Sequence, residues 1–287
     1  MRTLRFFTQS KTLNKLKTLN KKMKQFKDQI GNIHTFNSTP KRIVSLVPSQ
    51  TELLYDLGLE ENIVGITKFC VHPFHLKSTK KIVGGTKNVH YDRIKLLEPD
   101  IIICNKEENT QGMVEELQEI CPVWVTNVAS FESNFQMITD FGQVFDKRTE
   151  ARKWNDKLAF ALSDFKKFIN NIPVRKVAYF IWKNPYMVAG SGTFIDELLK
   201  LNHFQNYFVS LERYPEIDLE KIDEENELDL ILLSSEPFPF KTEDGYEIVK
   251  SFGDNAQAIL VDGEMFSWHG SRLIKALEYF KFLHKSI

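Results

Sequence analysis

Three residues of one loop carry side chains that bind transition metals. Cys70, His72 and His75 follow the predicted strand Ile63–Ile66 in the pattern C-x-H-x-x-H. A thiolate with one or two imidazoles suits zinc, copper or cobalt. Because this spacing is not that of a closed zinc site, two interpretations stay open. The loop either ligates a metal directly or presents His72 as a polar contact to a bound molecule.

Two more polar loops follow predicted strands. Residues 48–51, Pro-Ser-Gln-Thr, begin a predicted helix, where free backbone N–H groups and small hydroxyls suit an anionic or amide group of a ligand. The alternative is helix capping alone, because Ser49 and Glu52 match the capping box S-x-x-E. Residues 106–109, Lys-Glu-Glu-Asn, follow an apolar run and place Glu108 either at a cleft mouth or in a solvated loop.

Aromatic side chains gather in loops after strands predicted in the second half of the chain. Aromatic faces stack on a flat macrocycle or an aromatic chelate, and one imidazole, from His72 or His269, can reach a central metal. The alternative is that half of these aromatic side chains pack on the core. The candidate ligand-binding residues of the whole chain are Ser49, Gln50, Phe69, His72, Glu108, Trp182, Tyr186, Glu236, Phe266, Trp268 and His269.

The neutral total of 38 basic and 38 acidic residues hides an uneven distribution. Residues 1–27 hold nine Lys or Arg and no acidic residue, so the remainder carries a net charge of −9. An acidic body does not favour nucleic-acid binding, which needs basic surface against the phosphates. We interpret residues 1–40 as a basic leader, either disordered or an upstream extension with the true start at Met23. It shows neither a secretory signal nor a lipoprotein cysteine.

The sequence patterns of common enzyme classes are absent. No G-x-S-x-G, H-E-x-x-H, P-C-x-x-C or G-x-x-x-x-G-K-[ST] occurs. Three cysteines are too few for a disulfide framework, and no apolar run approaches the roughly 20 residues of a membrane span. We therefore predict a monomeric binding protein without a catalytic cofactor. The alternative is a catalytic role that uses Cys70, His72 and Glu108 together.

The periodicity of apolar residues predicts two α/β lobes. Short apolar runs alternate with helical patterns in both halves of the chain, as in parallel sheets buried on both faces. Between the halves, residues 146–171 contain no Gly or Pro and repeat apolar side chains at steps of three and four, which predicts one long amphipathic helix. The ligand cleft is expected between the lobes, beyond the carboxyl ends of the strands. The predicted domains are the leader 1–40, a lobe 41–145, a linking helix 146–172 and a lobe 173–287.

The two halves also echo each other in sequence. Residues 91–103 (YDRIKLLEPDIII) resemble residues 219–233 (LEKIDEENELDLILL) in order and content. The offset between equivalent residues is 129 for Asp100 and Asp229. A similarity at a constant offset suggests that one lobe is a duplicate of the other.

Three stretches of the chain resemble one protein family. They are residues 42–67 (RIVSLVPSQTELLYDLGLEENIVGIT), 83–103 (VGGTKNVHYDRIKLLEPDIII) and 259–280 (ILVDGEMFSWHGSRLIKALEYF). They are similar to the class III substrate-binding proteins of ABC importers, a cobalamin- and iron-siderophore-binding family also called helical-backbone metal receptors. Residues 98–101, Glu-Pro-Asp-Ile, match the x-x-P-D-hydrophobic hallmark of that family, and the resemblance covers about residues 41–284.

The resemblance implies a non-catalytic function. It implies that two lobes clamp a metal chelate, which is a cobalamin-like corrinoid, haem or a ferric siderophore, and deliver it to an ABC permease. It also implies a periplasmic location and one acidic docking residue on each lobe, for which Glu107 or Glu108 and Glu236 or Glu243 are candidates, with Glu107 and Glu243 preferred. Where cobalamin binders of the family carry a Trp, this chain has Asn105.

The lack of a visible export signal leaves a second function open. The alternative is a cytoplasmic member of the fold that acts as an intracellular ligand carrier or as an enzyme on a small polar metabolite.

Overall fold

The computed structural model describes residues 23–222, 228–252 and 256–287. Within these ranges the chain folds into two α/β lobes joined by a long helix, which confirms the predicted fold class. No helix in the same ranges is both long and apolar enough to cross a membrane.

The described chain begins with a β-hairpin, in which β1 (Lys24–Lys27) pairs antiparallel with β2 (Ile33–Phe36). The prediction of a disordered leader is therefore wrong for this segment, whereas residues 1–22 lie outside the described ranges. Asp28 is buried at the hairpin turn and accepts a hydrogen bond from the backbone N–H of Val125 in the first lobe (3.2 Å). The two strands leave most side chains exposed, so the apolar pattern gives no signal for them.

The first lobe holds a sheet of five parallel strands. Its central strands are continuously apolar because both faces are covered, and Ile43 pairs in register with Ile101. The strands are β3 (Ile43–Ser45), β4 (Ile63–Ile66), β5 (Lys81–Ile82), β6 (Ile101–Asn105) and β7 (Val123–Thr126). Their order across the sheet is β5-β4-β3-β6-β7. The helices are α1 (Pro48–Asp56), α2 (Leu76–Thr79), α3 (Tyr91–Leu96), α4 (Gln111–Gln118) and α5 (Phe131–Val144).

The linking helix, α6 (Arg148–Ile169), has 22 residues and lies inside the predicted range 146–172. At 1.5 Å per residue it is about 33 Å long, which is enough to reach from one lobe to the other. Ala151, Leu158 and Phe165 lie on its buried face at the spacing that predicted the helix. The preceding helix α5 was not predicted.

The second lobe holds a six-stranded sheet that departs from the parallel pattern of the first. Its strands are β8 (Arg175–Trp182), β9 (Tyr186–Val188), β10 (Phe204–Asn206), β11 (Glu216–Ile217), β12 (Leu230–Ser234) and β13 (Gln257–Val261). The chain turns straight back after β8, so β9 runs antiparallel to both β8 and β11. The other pairs are parallel. The helices are α7 (Phe194–Leu201), α8 (Thr242–Val249), α9 (Gly263–Ser267) and α10 (Leu273–Ser286).

Equivalent strands form the centre of each lobe. β3 lies between β4 and β6, and β8 lies between β9 and β12. Asp100 precedes β6, and its carboxylate accepts the backbone N–H of Lys41 before β3 (2.7 Å). Asp229 precedes β12, and its carboxylate accepts the backbone N–H of Lys176 in β8 (2.6 Å). The two aspartates that the sequence echo aligns therefore occupy equivalent places.

Candidate functional site

Loops from the carboxyl ends of both sheets meet between the lobes. His72 follows β4 and its Nε2 lies 2.8 Å from Oε2 of Glu264, which is in α9 after β13. Glu107 follows β6 and forms an ion pair with Arg213, in the loop between β10 and β11. These contacts between the two lobes place the candidate cleft at the carboxyl ends of the strands, which is the edge where parallel sheets bind ligands.

A buried ion pair joins the lobes close to these loops. Nε of Arg272 donates to Oε2 of Glu52 (2.6 Å), and Nη2 donates to Oε1 (3.0 Å). The two side chains are only 3% and 5% exposed. Nη1 of Arg272 also lies 2.9 Å from Oε2 of Glu264, so His72 and Arg272 share that carboxylate. The network ties α1 of the first lobe to the last elements of the second.

The predicted capping box at the start of α1 is wrong. Val47 occupies the N-cap position, and no side chain caps the helix. Glu52 is turned towards Arg272, and Oγ of Ser49 lies 3.4 Å from Nε2 of His269. Ser49 and Glu52, which the local pattern assigned to capping, therefore form contacts between the lobes instead.

Gln50 and His269 form a second buried contact between the lobes. Nε2 of Gln50 lies 3.0 Å from Nε2 of His269 and 2.5 Å from Oγ1 of Thr126. Burial lowers the pKa of His269 to about 4, so its imidazole is neutral at pH 7 and accepts the hydrogen bond from Gln50. That nitrogen is thus occupied by protein, while Oε1 of Gln50 is buried without a hydrogen-bond partner among the described residues.

Two asparagines outside the candidate set hold the loop after β6. Oδ1 of Asn105 accepts the backbone N–H groups of Glu107 (2.8 Å) and Glu108 (3.3 Å). Oδ1 of Asn109 accepts the N–H of Asn105 (2.8 Å), and both asparagines are buried. Sequence reasoning missed them, although an Asn directly after an apolar strand is a turn signal because its side chain bonds nearby backbone.

Glu107 and Glu236 occupy equivalent places in the two lobes. Each lies two residues beyond the end of a central strand, β6 or β12. The N–H of Glu236 donates to Oγ of Ser234 (3.3 Å), as the N–H of Glu107 donates to Asn105. The carboxylate of Glu107 is paired with Arg213, whereas no ion pair holds that of Glu236 among the described residues.

Burial raises the pKa of Glu236 to about 7. Hydrogen bonds from Nε1 of Trp268 (2.7 Å) and Oγ of Ser267 (3.2 Å) oppose the shift, while the charges of Glu264 and Glu108 add to it. Both bonds end on Oε1, so Oε2 accepts none from the part of the chain that the structure describes. Burial likewise raises the pKa of Glu108, whose carboxylate has neither a hydrogen bond nor an ion pair there.

Two of the predicted aromatic residues reach solvent at the cleft. Trp182, at the end of β8, is 38% exposed, and its ring meets the edge of Phe238 at 5.7 Å. Phe69, in the loop after β4, is 49% exposed and carries Nζ of Lys68 at 4.9 Å from its ring. One partly exposed aromatic ring therefore comes from each lobe.

The other predicted aromatic residues are largely covered by protein. Phe266 is fully buried in the core. Trp268 is buried between the Arg272 guanidinium, 4.9 Å from its ring, and the edge of His72 at 5.5 Å. Tyr186 is partly buried against the core of the second lobe. These three side chains pack against protein and leave little surface for a ligand.

The structure directs the three residues of the candidate metal loop to different partners. Cys70 is buried, its thiol contacts the hydroxyl of Thr51 at 3.1 Å, and burial raises its pKa. His72 bonds Glu264, and Nε2 of His75 lies 2.7 Å from Oε1 of Glu60. Across the described ranges, no group of three or more His, Cys, Asp or Glu side chains could hold a metal ion.

A separate groove of about 560 Å³ lies between α6 and α10. Four apolar side chains, including the exposed Phe160, and five charged side chains line it, among them the ion pair of Asp164 with Lys281. None of the candidate ligand residues lines it. The groove is therefore distinct from the cleft between the lobes.

Comparison with known proteins supports the fold and gives a family. Residues 43–256 match a family profile described as "Periplasmic binding protein". One relative is the uncharacterized ABC transporter substrate-binding lipoprotein YvrC of Bacillus subtilis. It is 27% identical over 180 residues, which cover 60% of this chain and 57% of that protein. The chain thus spans little more than half the length of this relative.

Two solved structures share the two-lobed architecture. The periplasmic vitamin B12 binding protein BtuF of Vibrio cholerae aligns with a TM-score of 0.74 at 17% identity, over 86% of this chain and 98% of that one. The periplasmic heme-binding protein RhuT from Roseiflexus sp. RS-1 aligns with a TM-score of 0.71 at 16% identity, again over 86% and 98%. At these identities the likeness shows the fold alone.

Proposed function

The chain belongs to the periplasmic binding protein family, and from this premise we propose that it is the substrate-binding protein of an ABC importer. Its ligand is a metal chelate, either a corrinoid, haem or a ferric siderophore. The relatives named above are a substrate-binding lipoprotein, a vitamin B12 binder and a haem binder, which supports this function rather than an intracellular carrier or an enzyme.

The observation that carries the proposal is the meeting of two sets of strand-end loops between the lobes. The contact of His72 with Glu264 at 2.8 Å shows how close the loops come. Phe69 and Trp182 expose aromatic rings on opposite lobes, so a flat chelate can lie between the two rings. We therefore assign the ligand surface to Phe69, His72, Glu108, Trp182 and Glu236.

The proposal includes delivery to a permease outside the cytoplasm, in line with the lipoprotein and periplasmic relatives. Glu243 lies exposed in the first turn of α8 and is free to meet a basic permease residue. Glu107, the preferred candidate on the first lobe, has its carboxylate paired with Arg213. We keep Glu243 as the docking residue and leave Glu107 out.

Titration of the protein with cyanocobalamin, haem and a ferric siderophore, followed by tryptophan fluorescence, tests the proposal. We expect at least one chelate to quench fluorescence with saturation. Trp182→Ala should weaken its binding about 10-fold, since an aromatic stacking contact is worth about 1 kcal/mol beyond the area it covers. Phe160→Ala removes an exposed ring outside the cleft, 76% exposed against 38% for Trp182, and should bind as the unmodified protein does. Quenching by none of the three chelates would refute the function.

A further inference from the structure

The cationic side chains that line the cleft are engaged with protein carboxylates. Arg272 pairs with Glu52 and Glu264, and Arg213 pairs with Glu107. Nζ of Lys183, after β8, pairs with the acidic side chains of α8 at 2.8 Å. The guanidinium and ammonium groups nearest the cleft therefore have their charges compensated before any ligand arrives.

Two carboxylates of the cleft lack such compensation. Glu108 on the first lobe forms no ion pair with any described residue. The charge of Lys87, whose Nζ bonds the backbone carbonyl of Glu107 at 2.6 Å, opposes the rise that burial gives the pKa of Glu108 but does not cancel it. Within the described ranges, the carboxylate of Glu236 on the second lobe bonds only the neutral donors of Trp268 and Ser267. Glu108 follows β6 and Glu236 follows β12, so both lie at the carboxyl ends of strands, the edge at which parallel sheets bind ligands.

Two lysines in the loops after β4 and β6 form no ion pair with any described residue. Lys68 and Lys106 are exposed, and Lys68 covers the ring of Phe69. An exposed ammonium is hydrated and screened by salt, whereas the two glutamates are partly buried and are screened much less. Above pH 7, where Glu236 is ionised, the partly buried carboxylates therefore act on a ligand more strongly than these exposed ammonium groups do.

We propose that the cleft selects chelates whose rim carries N–H groups or positive charge, and excludes anionic chelates, through Glu108 and Glu236. This inference rests on the proposed binding function and narrows its ligand class. A rim N–H donates to the unpartnered oxygen of either glutamate, and the aromatic faces of Phe69 and Trp182 cover the flat part of the ligand. A carboxylate or catecholate rim meets like charge at the same two points, which costs affinity.

The test compares probes of different charge on the full chain at low salt and pH 8, where Glu236, with a pKa of about 7, is ionised. Cyanocobalamin supplies a neutral rim of amides, haem supplies propionates, and a ferric tris-catecholate supplies a trianion. We expect cyanocobalamin to bind at least about 10-fold tighter than either anion. Glu108→Gln and Glu236→Gln should each reduce this ratio about 3- to 10-fold, and the double variant should reduce it further.

Matched controls remove the same charge elsewhere. Glu119→Gln and Glu278→Gln change exposed glutamates outside the cleft, one on each lobe, and should leave the ratio unchanged. Circular dichroism checks that every variant is folded.

Two outcomes separate this inference from the function on which it rests. Haem or the catecholate binding as tightly as cyanocobalamin would refute charge selection and leave the binding function standing. An effect of Glu108→Gln and Glu236→Gln no larger than that of the controls would refute it in the same way. A chain that binds none of the chelates, with or without the substitutions, loses the proposed function and the selectivity together.

Discussion

The two lobes have the same strand order around the central strand, and in each lobe an aspartate precedes the neighbouring strand, β6 or β12. The equivalent glutamates that follow these two strands nevertheless have different partners. Glu107 of the first lobe is tied to Arg213 of the second. Among the described residues, the carboxylate of Glu236 in the second lobe bonds only neutral donors, and one of its oxygens accepts no hydrogen bond. Glu107 thus joins the two lobes, whereas the equivalent Glu236 is available to a ligand.

The lobes also differ in the strand next to the central one. β4 runs parallel to β3, and its following loop carries Phe69 and His72 into the cleft. In the second lobe β9 runs antiparallel to β8, so the chain leaves the cleft again within a few residues of Trp182. The second lobe therefore supplies its other cleft groups from after β12 and β13.

The largest expected effect comes from breaking the contact that couples the lobes. Arg272→Met leaves the Glu52 carboxylate buried without its bidentate partner, and Lys275, 3.1 Å away but largely exposed, compensates only in part. We expect the free energy of unfolding to fall by about 3–5 kcal/mol in urea denaturation followed by circular dichroism.

Arg148→Met is the control for this change. The ion pair of Arg148 with Asp146 is exposed on both sides, so its loss should cost less than about 1 kcal/mol. If Arg272→Met cost no more than this control, the buried pair would not be what holds the lobes together.

The next effect tests the difference between the equivalent glutamates through pH. Glu236 has a pKa of about 7 in the folded protein and about 4.3 when unfolded. As pH rises through this interval the unfolded state releases its proton first, so the unfolded state binds fewer protons and stability falls. Glu236→Gln should remove this decline and raise the free energy of unfolding at pH 8 by about 1–2 kcal/mol.

Glu107→Gln should change stability in the opposite direction. It removes an ion pair whose arginine is 47% exposed, which costs at most about 1 kcal/mol. Equal and same-signed effects of Glu107→Gln and Glu236→Gln at pH 8 would show that the two positions are electrostatically alike, against the comparison drawn above.

The smallest expected difference in stability is between variants of the two aspartates that precede β6 and β12. Asp100 accepts the backbone N–H groups of both Lys41 (2.7 Å) and Arg42 (3.0 Å), whereas Asp229 accepts, among the described residues, only that of Lys176 (2.6 Å). Both carboxylates are exposed, so we expect about 1–2 kcal/mol lost in Asp100→Ala and about 1 kcal/mol in Asp229→Ala. Thermal unfolding of the pair measures the difference, and a larger loss for Asp229→Ala would contradict it.

Local patterns of apolar residues were sufficient to predict strands such as β3, β6 and β12 and the linking helix. The runs at β3, β6 and β12 are apolar because helices cover both faces, and the linking helix repeats apolar residues over many turns. The reversal at β9 had a weaker signal, the Asn184-Pro185 turn, where Asn184 adopts a positive φ of 63°.

Candidate site residues were harder to place because their neighbours come from distant parts of the chain. Trp268 looks like an open stacking face in sequence, but Arg272 and His72 cover it in the fold. Glu52 matched a capping box, yet its partner lies 220 residues away. No pattern within one helix or loop contains the information that decides such contacts.

That separation has a consequence for synthesis on the ribosome. The strands of each lobe are contiguous in sequence, so the first sheet can close before the second lobe has emerged. Glu52 must then wait for Arg272, and at about 5–20 residues per second the delay over 220 residues is roughly 10–40 s. During that interval its carboxylate stays hydrated at the surface of the nascent first lobe, and the ion pair between the lobes forms only after Arg272 has been added to the chain.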